Sequence, residues 1–315
     1  GSTEEGGYDA ERLQALDAHL AGMIGDGKLQ CAGYLMSRDG RIFAHRSMGK
    51  LTYRDGSPDL MPDSIRKTYS VTKFFTAVAV MQLIEEGKLF LEQAVSTVLP
   101  HFDTPLHKNI TVFQLLTHTS GVYPDPGAFL EPYPTAWFEG LRGYDDWITA
   151  VLSGPLPFKP GERYAYSSAG FAVLGEIVTR ASGIPYERYV IERIARPLGM
   201  TRTFFEVPDH LLDEVCVTDE WQVGECRSSE DRTGKPPRAG NGLFSTLEDM
   251  WKLGQTMLNG GTFGGARILS RKSVEAMTRN QLSGVKTSVW GSNASDYSFG
   301  LGLSLAAPTT ARPSC

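Results

Sequence analysis

Ser70 and Lys73 sit three residues apart at the head of an apolar stretch, and that spacing puts a hydroxyl and an amine on one helix face. A serine oxygen becomes a useful nucleophile only when a nearby group takes its proton. A lysine in water, with a pKa of about 10.4, is protonated at neutral pH and cannot do so. Burial lowers that value and turns the amine into a base. The segment after Lys73 supplies the burial: Phe74-Phe-Thr-Ala-Val-Ala-Val-Met-Gln-Leu-Ile84 is apolar almost all the way round. It predicts a helix over 71–84 inside the protein, with Gly87 at a left-handed C-terminal cap. The same pair also admits a plain reading, in which Ser70 caps the helix and Lys73 reaches along the surface. Ser-x-x-Lys recurs at Ser64 to Lys67, in a polar stretch, and at Ser283 to Lys286, in a glycine-containing, loop-like one. Neither opens an apolar helix.

The elements that must hold this pair follow from periodicity. Leu13, Leu16, Leu20, Met23 and Ile24 predict an amphipathic helix over 9–23. Extended segments at 31–37 and 41–48, joined by Arg38-Asp-Gly40, predict a hairpin. Beyond Gly87 come short apolar runs ending in Leu115-Leu-Thr-His-Thr-Ser-Gly121. The proline- and aromatic-rich 123–147 then reads as a long loop packed by its own rings. Helices are predicted over 171–181, stopping at Gly183, over 186–194 and over 247–258, while 219–237 is polar and loop-like. Leu301, Leu303 and Leu305 alternate within 298–305, the pattern of a strand.

With 315 residues the chain forms one large domain or two intimate ones. The net charge of −5 comes without a basic cluster, which disfavours nucleic acid as a partner. No apolar run approaches the roughly 20 residues of a membrane-spanning helix. The cysteines at 31, 216, 226 and 315 fit no metal-ligand spacing. Cys216 and Cys226 either bridge a short hairpin or stay as buried thiols. Asn109-Ile-Thr and Asn293-Ala-Ser match the glycosylation pattern, which has meaning only in a secretory context. The compartment stays open between the cytoplasm and a periplasmic or secreted location. Gly1-Ser2 has the look of a tag remnant.

Taken together and in order, several segments resemble the serine β-lactamase and penicillin-binding-protein superfamily, nearest its class C-like branch with the family VIII carboxylesterases. The matching stretches are Tyr69-Ser70-Val-Thr-Lys73, Leu89-x-Leu91 leading to Leu99-Pro100, Leu115-Leu-Thr-His-Thr-Ser-Gly121, and Pro160-Gly161 before Tyr166-Ser-Ser168. Leu174-Gly175, Ser182-Gly183, Pro197-Leu-Gly-Met200 and Asn241-Gly-Leu-Phe-Ser245 continue the series. The resemblance implies an α+β, β-lactamase/transpeptidase-like fold: an antiparallel sheet flanked by helices, with an inserted all-helical domain. It places the α/β part in 1–90 and 240–315, and the helical part in 91–239.

For the chemistry, the resemblance implies catalysis by Ser70, Lys73 and Tyr166 through an acyl-enzyme, with neither cofactor nor metal. Ser70 attacks a substrate carbonyl, and Lys73 accepts its proton or sets the protonation of its neighbours. Tyr166 matches the tyrosine of the second family motif. Its phenol, favoured as phenolate by a nearby ammonium, would share one proton with Lys73. A core ring with a satisfied hydroxyl is the plain reading of the same residue. Ser168 stands where the lactamases and peptidases usually carry an asparagine that holds the substrate's acyl amide. A serine there favours small-molecule esters over β-lactams or peptides. A β-lactamase, a D-amino-acid peptidase, an acyltransferase and a non-catalytic scaffold of the same fold are the alternatives. The family's third motif, normally on a late strand lining the cleft, is not found before Cys315. The resemblance therefore leads one to expect a longer protein, with the C-terminal strands and helix supplied by a further segment or a second chain.

Overall fold

In a computed structural model the described residues are 6–125, 127–128, 146–226, 234–289, 292–293 and 297–306. Most of the aromatic loop expected at 123–147 lies outside them, as does Cys315. The chain divides into two compact units. One comprises Gly1–Thr68, Ala195–Glu230 and Gly242–Asn259, and the other Tyr69–Ile194, Asp231–Asn241 and Gly260–Cys315.

The first unit is built on an antiparallel hairpin, Cys31–Arg38 against Arg41–Gly49, paired from Cys31↔Gly49 to Arg38↔Arg41 with a register shift between Met36 and Ser37. Asp39 and Gly40 turn it with φ of 51° and 75°, the two positive values a tight two-residue hairpin turn demands. Helix Ala10–Gly25, capped by Asp9, closes one small core through Leu13, Phe43 and Ala44. Helix Leu247–Leu258 starts where Thr246 accepts the Asp249 amide, and its Trp251 indole donates to Ser37 Oγ at 2.7 Å. A second sheet has Ile65–Lys67 at its centre, parallel to Val215–Cys216 and antiparallel to Phe244–Ser245. Ile65, Val207, Val215, Val217 and Phe244 pack together over it. The polar stretch after Asp219 is not loop throughout. Asp219 Oδ1 accepts the Gln222 amide at 2.9 Å and starts a short helix, Glu220–Cys226.

The second unit is organised by helix Thr72–Glu85, whose side chains from Thr72 to Leu83 are buried apart from Phe74. Polar side chains fix it to its surroundings at each turn. Thr76 Oγ1 donates to the Ala239 carbonyl at 2.7 Å and lies 2.7 Å from the Tyr186 hydroxyl. Since a hydroxyl has one hydrogen, Tyr186 must be the donor in that second bond. Gln82 reaches the carbonyls of Arg193 and Ile268, and Glu85 accepts the Ser270 amide. Gly87 takes φ +70°, as its place after the helix predicts. Helix Ser168–Ser182 packs alongside, capped by Ser167 and ended by left-handed Gly183. Strand Lys286–Val289 lies between Ser292–Asn293 and Arg163–Tyr164. The alternating leucines after Ser298 do not form one strand: Ser298–Phe299 turns back to pair with Ser304–Leu305. Gly302, at φ +76°, makes that reversal while pressed on Ala77 of the buried helix.

Candidate active site

Ser70 lies in a 3₁₀ turn, Tyr69–Val71, that runs directly into helix Thr72–Glu85. Tyr69 is held at φ 46°, a left-handed conformation that an aromatic residue rarely adopts. The turn leaves Ser70 exposed while Lys73, one helical turn on, is buried to 3%. The alcohol thus faces solvent and the amine is removed from it.

The Lys73 ammonium has three acceptors around it: Gly240 O at 2.8 Å, Ser168 Oγ at 3.1 Å and Ser70 Oγ at 3.2 Å. Three hydrogens meet three acceptors, which is how a lysine with no carboxylate bound to it is kept in the interior. Burial still pushes it down to about 8, while the negative charge of Asp125 acts in the opposite direction. About a tenth of the amine is therefore free at pH 7, against well under a thousandth for a lysine in water.

Tyr166 joins the group from the segment just before helix Ser168–Ser182, with its phenol near enough to Ser70 for that hydroxyl to favour the ionised form. The structure brings Ser70, Lys73, Tyr166 and Ser168 together. One expectation is revised: Lys73 Nζ stands over the Tyr166 ring, 4.6 Å from its centroid, against the π face. Burial pushes the phenol up to about 12, with the nearby Ser70 hydroxyl acting against it and the charge of Asp125 adding to the rise. Tyr166 is thus a protonated phenol at neutral pH, and the phenolate expected from the sequence is disfavoured.

Asp125 and Gly240 were not singled out by the sequence. The Asp125 amide donates to Tyr166 O at 2.8 Å, and its carboxylate accepts both the Ser168 amide and the Ser168 hydroxyl at 2.7 Å. The signal was its place four residues beyond Gly121, in a stretch whose aromatic and proline content drew attention away from it. His118 has a structural part. Fully buried, it is kept neutral well below the usual histidine range, chiefly by burial and then by the Lys73 charge. Its Nδ1 accepts the Ser167 amide at 3.0 Å, and its ring lies 4.3 Å from that of Tyr166.

Hydrogen counting then fixes a direction. Gly240 O can only accept, so one lysine hydrogen stays there. The Ser168 hydroxyl gives its hydrogen to Asp125, so Ser168 also accepts from Lys73. When Lys73 loses a proton, both remaining hydrogens are committed and its lone pair faces Ser70. The other Ser-x-x-Lys pairs have no such surroundings. Lys67 bonds Glu225 at 2.8 Å and Ser64 Oγ accepts the Met61 amide, while Ser283 and Lys286 are exposed.

An exposed serine beside a buried, partly neutral lysine on an α+β fold describes the serine hydrolases that work without a Ser-His-Asp triad. The family model for β-lactamases matches residues 16–313, and the chain belongs to that family. A protein of Escherichia coli (strain K12) with the provisional name D-alanyl-D-alanine carboxypeptidase is 28% identical, over 99% of this chain and 76% of that protein. Among solved structures, simvastatin synthase from Aspergillus terreus superposes with a TM-score of 0.73 at 20% identity, covering 93% of this chain and 82% of that one. EstCE1, described as a hydrolase with promiscuous acyltransferase activity, gives 0.72 at 20% identity over 95% and 83%. At that identity the two structures speak to the fold, the β-lactamase/transpeptidase-like one.

Proposed function

We propose that the protein is an esterase that cleaves carboxylic esters of small or medium acyl groups through an acyl-enzyme on Ser70. The observation behind this reading is the lone pair of neutral Lys73, left with Ser70 as its remaining partner. Lys73 takes the serine proton as Oγ attacks the ester carbonyl. The C–O bond to the alcohol breaks, and the proton held by Lys73 is available to the departing alkoxide. Tyr166, protonated and beside Ser70, is a donor for the departing group. Water then attacks the acyl group and frees the enzyme, with Lys73 again taking the proton.

The preference for esters rests on Ser168. Its hydroxyl hydrogen goes to Asp125 and its oxygen receives Lys73, so it serves the lysine and has no donor left for an acyl amide. An asparagine at this position would have donors to spare. A peptidase acting on D-alanyl-D-alanine ends is the second reading, suggested by the name of the Escherichia coli relative.

The test compares wild type with Ser70→Ala on a nitrophenyl ester, a chromogenic cephalosporin and a D-alanyl-D-alanine peptide, with a fluorophosphonate as active-site label. Ester turnover and labelling at Ser70, both lost in the variant, are expected. Turnover of the peptide or cephalosporin without the ester would replace the reading. Labelling at another serine would overturn the assignment of the nucleophile.

A further inference from the structure

Cys31 and Cys216, 185 residues apart in sequence, place their sulfurs 3.6 Å from each other within the first unit. Cys31 opens the first strand of the hairpin and is half-buried; Cys216 lies on the strand paired with Ile65–Lys67 and is buried. The pairing considered from sequence, Cys216 with Cys226, does not occur: Cys226 donates to the Val223 carbonyl instead. Beside the two sulfurs stands Arg66, directly opposite Cys216 in the strand pairing. Its guanidinium donates to Ser64 O at 2.7 Å and Ser47 Oγ at 3.2 Å, both neutral, and Asp63 adds a nearby negative charge. A half-buried cation whose hydrogen-bond acceptors are neutral favours an anion next to it, and the thiolate of Cys31 supplies one.

We infer that Cys31 and Cys216 form a reversible redox couple, with Cys31 the thiolate that reacts with a hydroperoxide and Cys216 the thiol that resolves it. In the first step Cys31 Sγ attacks the peroxide, an S–O bond forms, the O–O bond breaks, and hydroxide leaves from hydrogen peroxide or an alkoxide from an organic hydroperoxide. The sulfur is oxidised by two electrons and the peroxide is reduced. In the second step Cys216 gives up its proton and its sulfur attacks Cys31 Sγ. The S–S bond forms, the S–O bond breaks and water departs. Closing the contact to a disulfide asks for an approach of about 1.5 Å. The acidity of the pair agrees with this assignment. Cys31 is lowered to about 7, first by the hydrogen bond from Cys216 and further by Arg66, against burial, whereas Cys216 is pushed up.

The experiment titrates the intact protein with hydrogen peroxide, alkylates the remaining thiols and maps the peptides. A Cys31–Cys216 cross-link with loss of two hydrogens is expected, reversed by dithiothreitol. In Cys216→Ser, Cys31 stops at the sulfenic acid and is trapped by dimedone; in Cys226→Ser the cross-link still forms. At pH 7, Cys31 of the untreated protein alkylates several-fold faster than Cys226, and Arg66→Gln removes most of that advantage. These wild-type readings need no variant to fold. Cys31 and Cys216 both alkylating fully after peroxide, or a cross-link through Cys226 or Cys315, would overturn the inference.

Discussion

Asp125 holds Ser168 by both of its hydrogens, the amide and the hydroxyl each 2.7 Å from a carboxylate oxygen. The grip makes Ser168 an acceptor for Lys73, and it brings a negative charge that favours the protonated amine. In Asp125→Asn both effects weaken. The charge that raises the lysine is lost, so the alkaline-rising limb of ester turnover moves to lower pH. At the same time kcat falls about tenfold as Ser168 loses its fixed direction. A pH profile separates the two, because a purely structural defect would lower the rate without moving the limb.

Lys73, brought to about 8 by burial, makes turnover rise with pH through that value in the wild type. Lys73→Ala lowers kcat by about 10²–10⁴-fold. Stability shows the same shift. A base depressed on folding leaves the unfolded chain holding more protons between pH 8 and 10.5, so stability rises with pH across that window. The contribution is about 3 kcal/mol in all, read as the difference between wild type and Lys73→Met in urea unfolding at several pH values.

Tyr166→Phe keeps the ring beneath the lysine and removes the hydroxyl near Ser70. Turnover falls by about 10–10²-fold, while the rising limb stays near pH 8. Movement of that limb by a unit or more would show that the phenol, not the amine, titrates there.

His118 is neutral in the fold, with its acidity constant well below the ordinary value of 6.5. The stability this provides is fully present above pH 6.5 and is lost progressively as pH falls below it. The unfolded chain takes up a proton there that the native state refuses. Thermal melts from pH 7 to 5 measure it, and the slope flattens in His118→Gln.

Gly302→Ala sets a methyl 2.4 Å from the Ala77 Cβ at a backbone angle of +76°. Unfolding measurements are expected to show a loss of about 1–3 kcal/mol. Turnover falls with it, because Ala77 belongs to the helix that carries Lys73.

What could be read from the chain was local. The buried helix, its Gly87 stop, the first hairpin and the Leu247–Leu258 helix follow from apolar period, caps and turns within a few residues of each other. The Ser70–Lys73 spacing was visible for the same reason, but its choice over a plain helix cap came with the resemblance. Tyr166 and Ser168 came from resemblance, since no spacing joins them to Lys73. Asp125 escaped because its partners lie 41 and 43 positions on, brought back by a fold that local pattern does not encode. The Leu301, Leu303, Leu305 alternation misled, because Gly300 and Gly302 fold the strand back on itself. The opposite charge preference of Tyr166 was hidden too, as acidity depends on how deep a ring sits and not only on which cation is near.

Two successive carbonyls, Ala239 and Gly240, are fastened to successive turns of one helix, by Thr76 and by Lys73. The second fastening is also a chemical adjustment, because a carbonyl dipole aimed at an ammonium favours the charged form. Withdrawing the Gly240 carbonyl would take one acceptor from the ammonium and so favour the free amine.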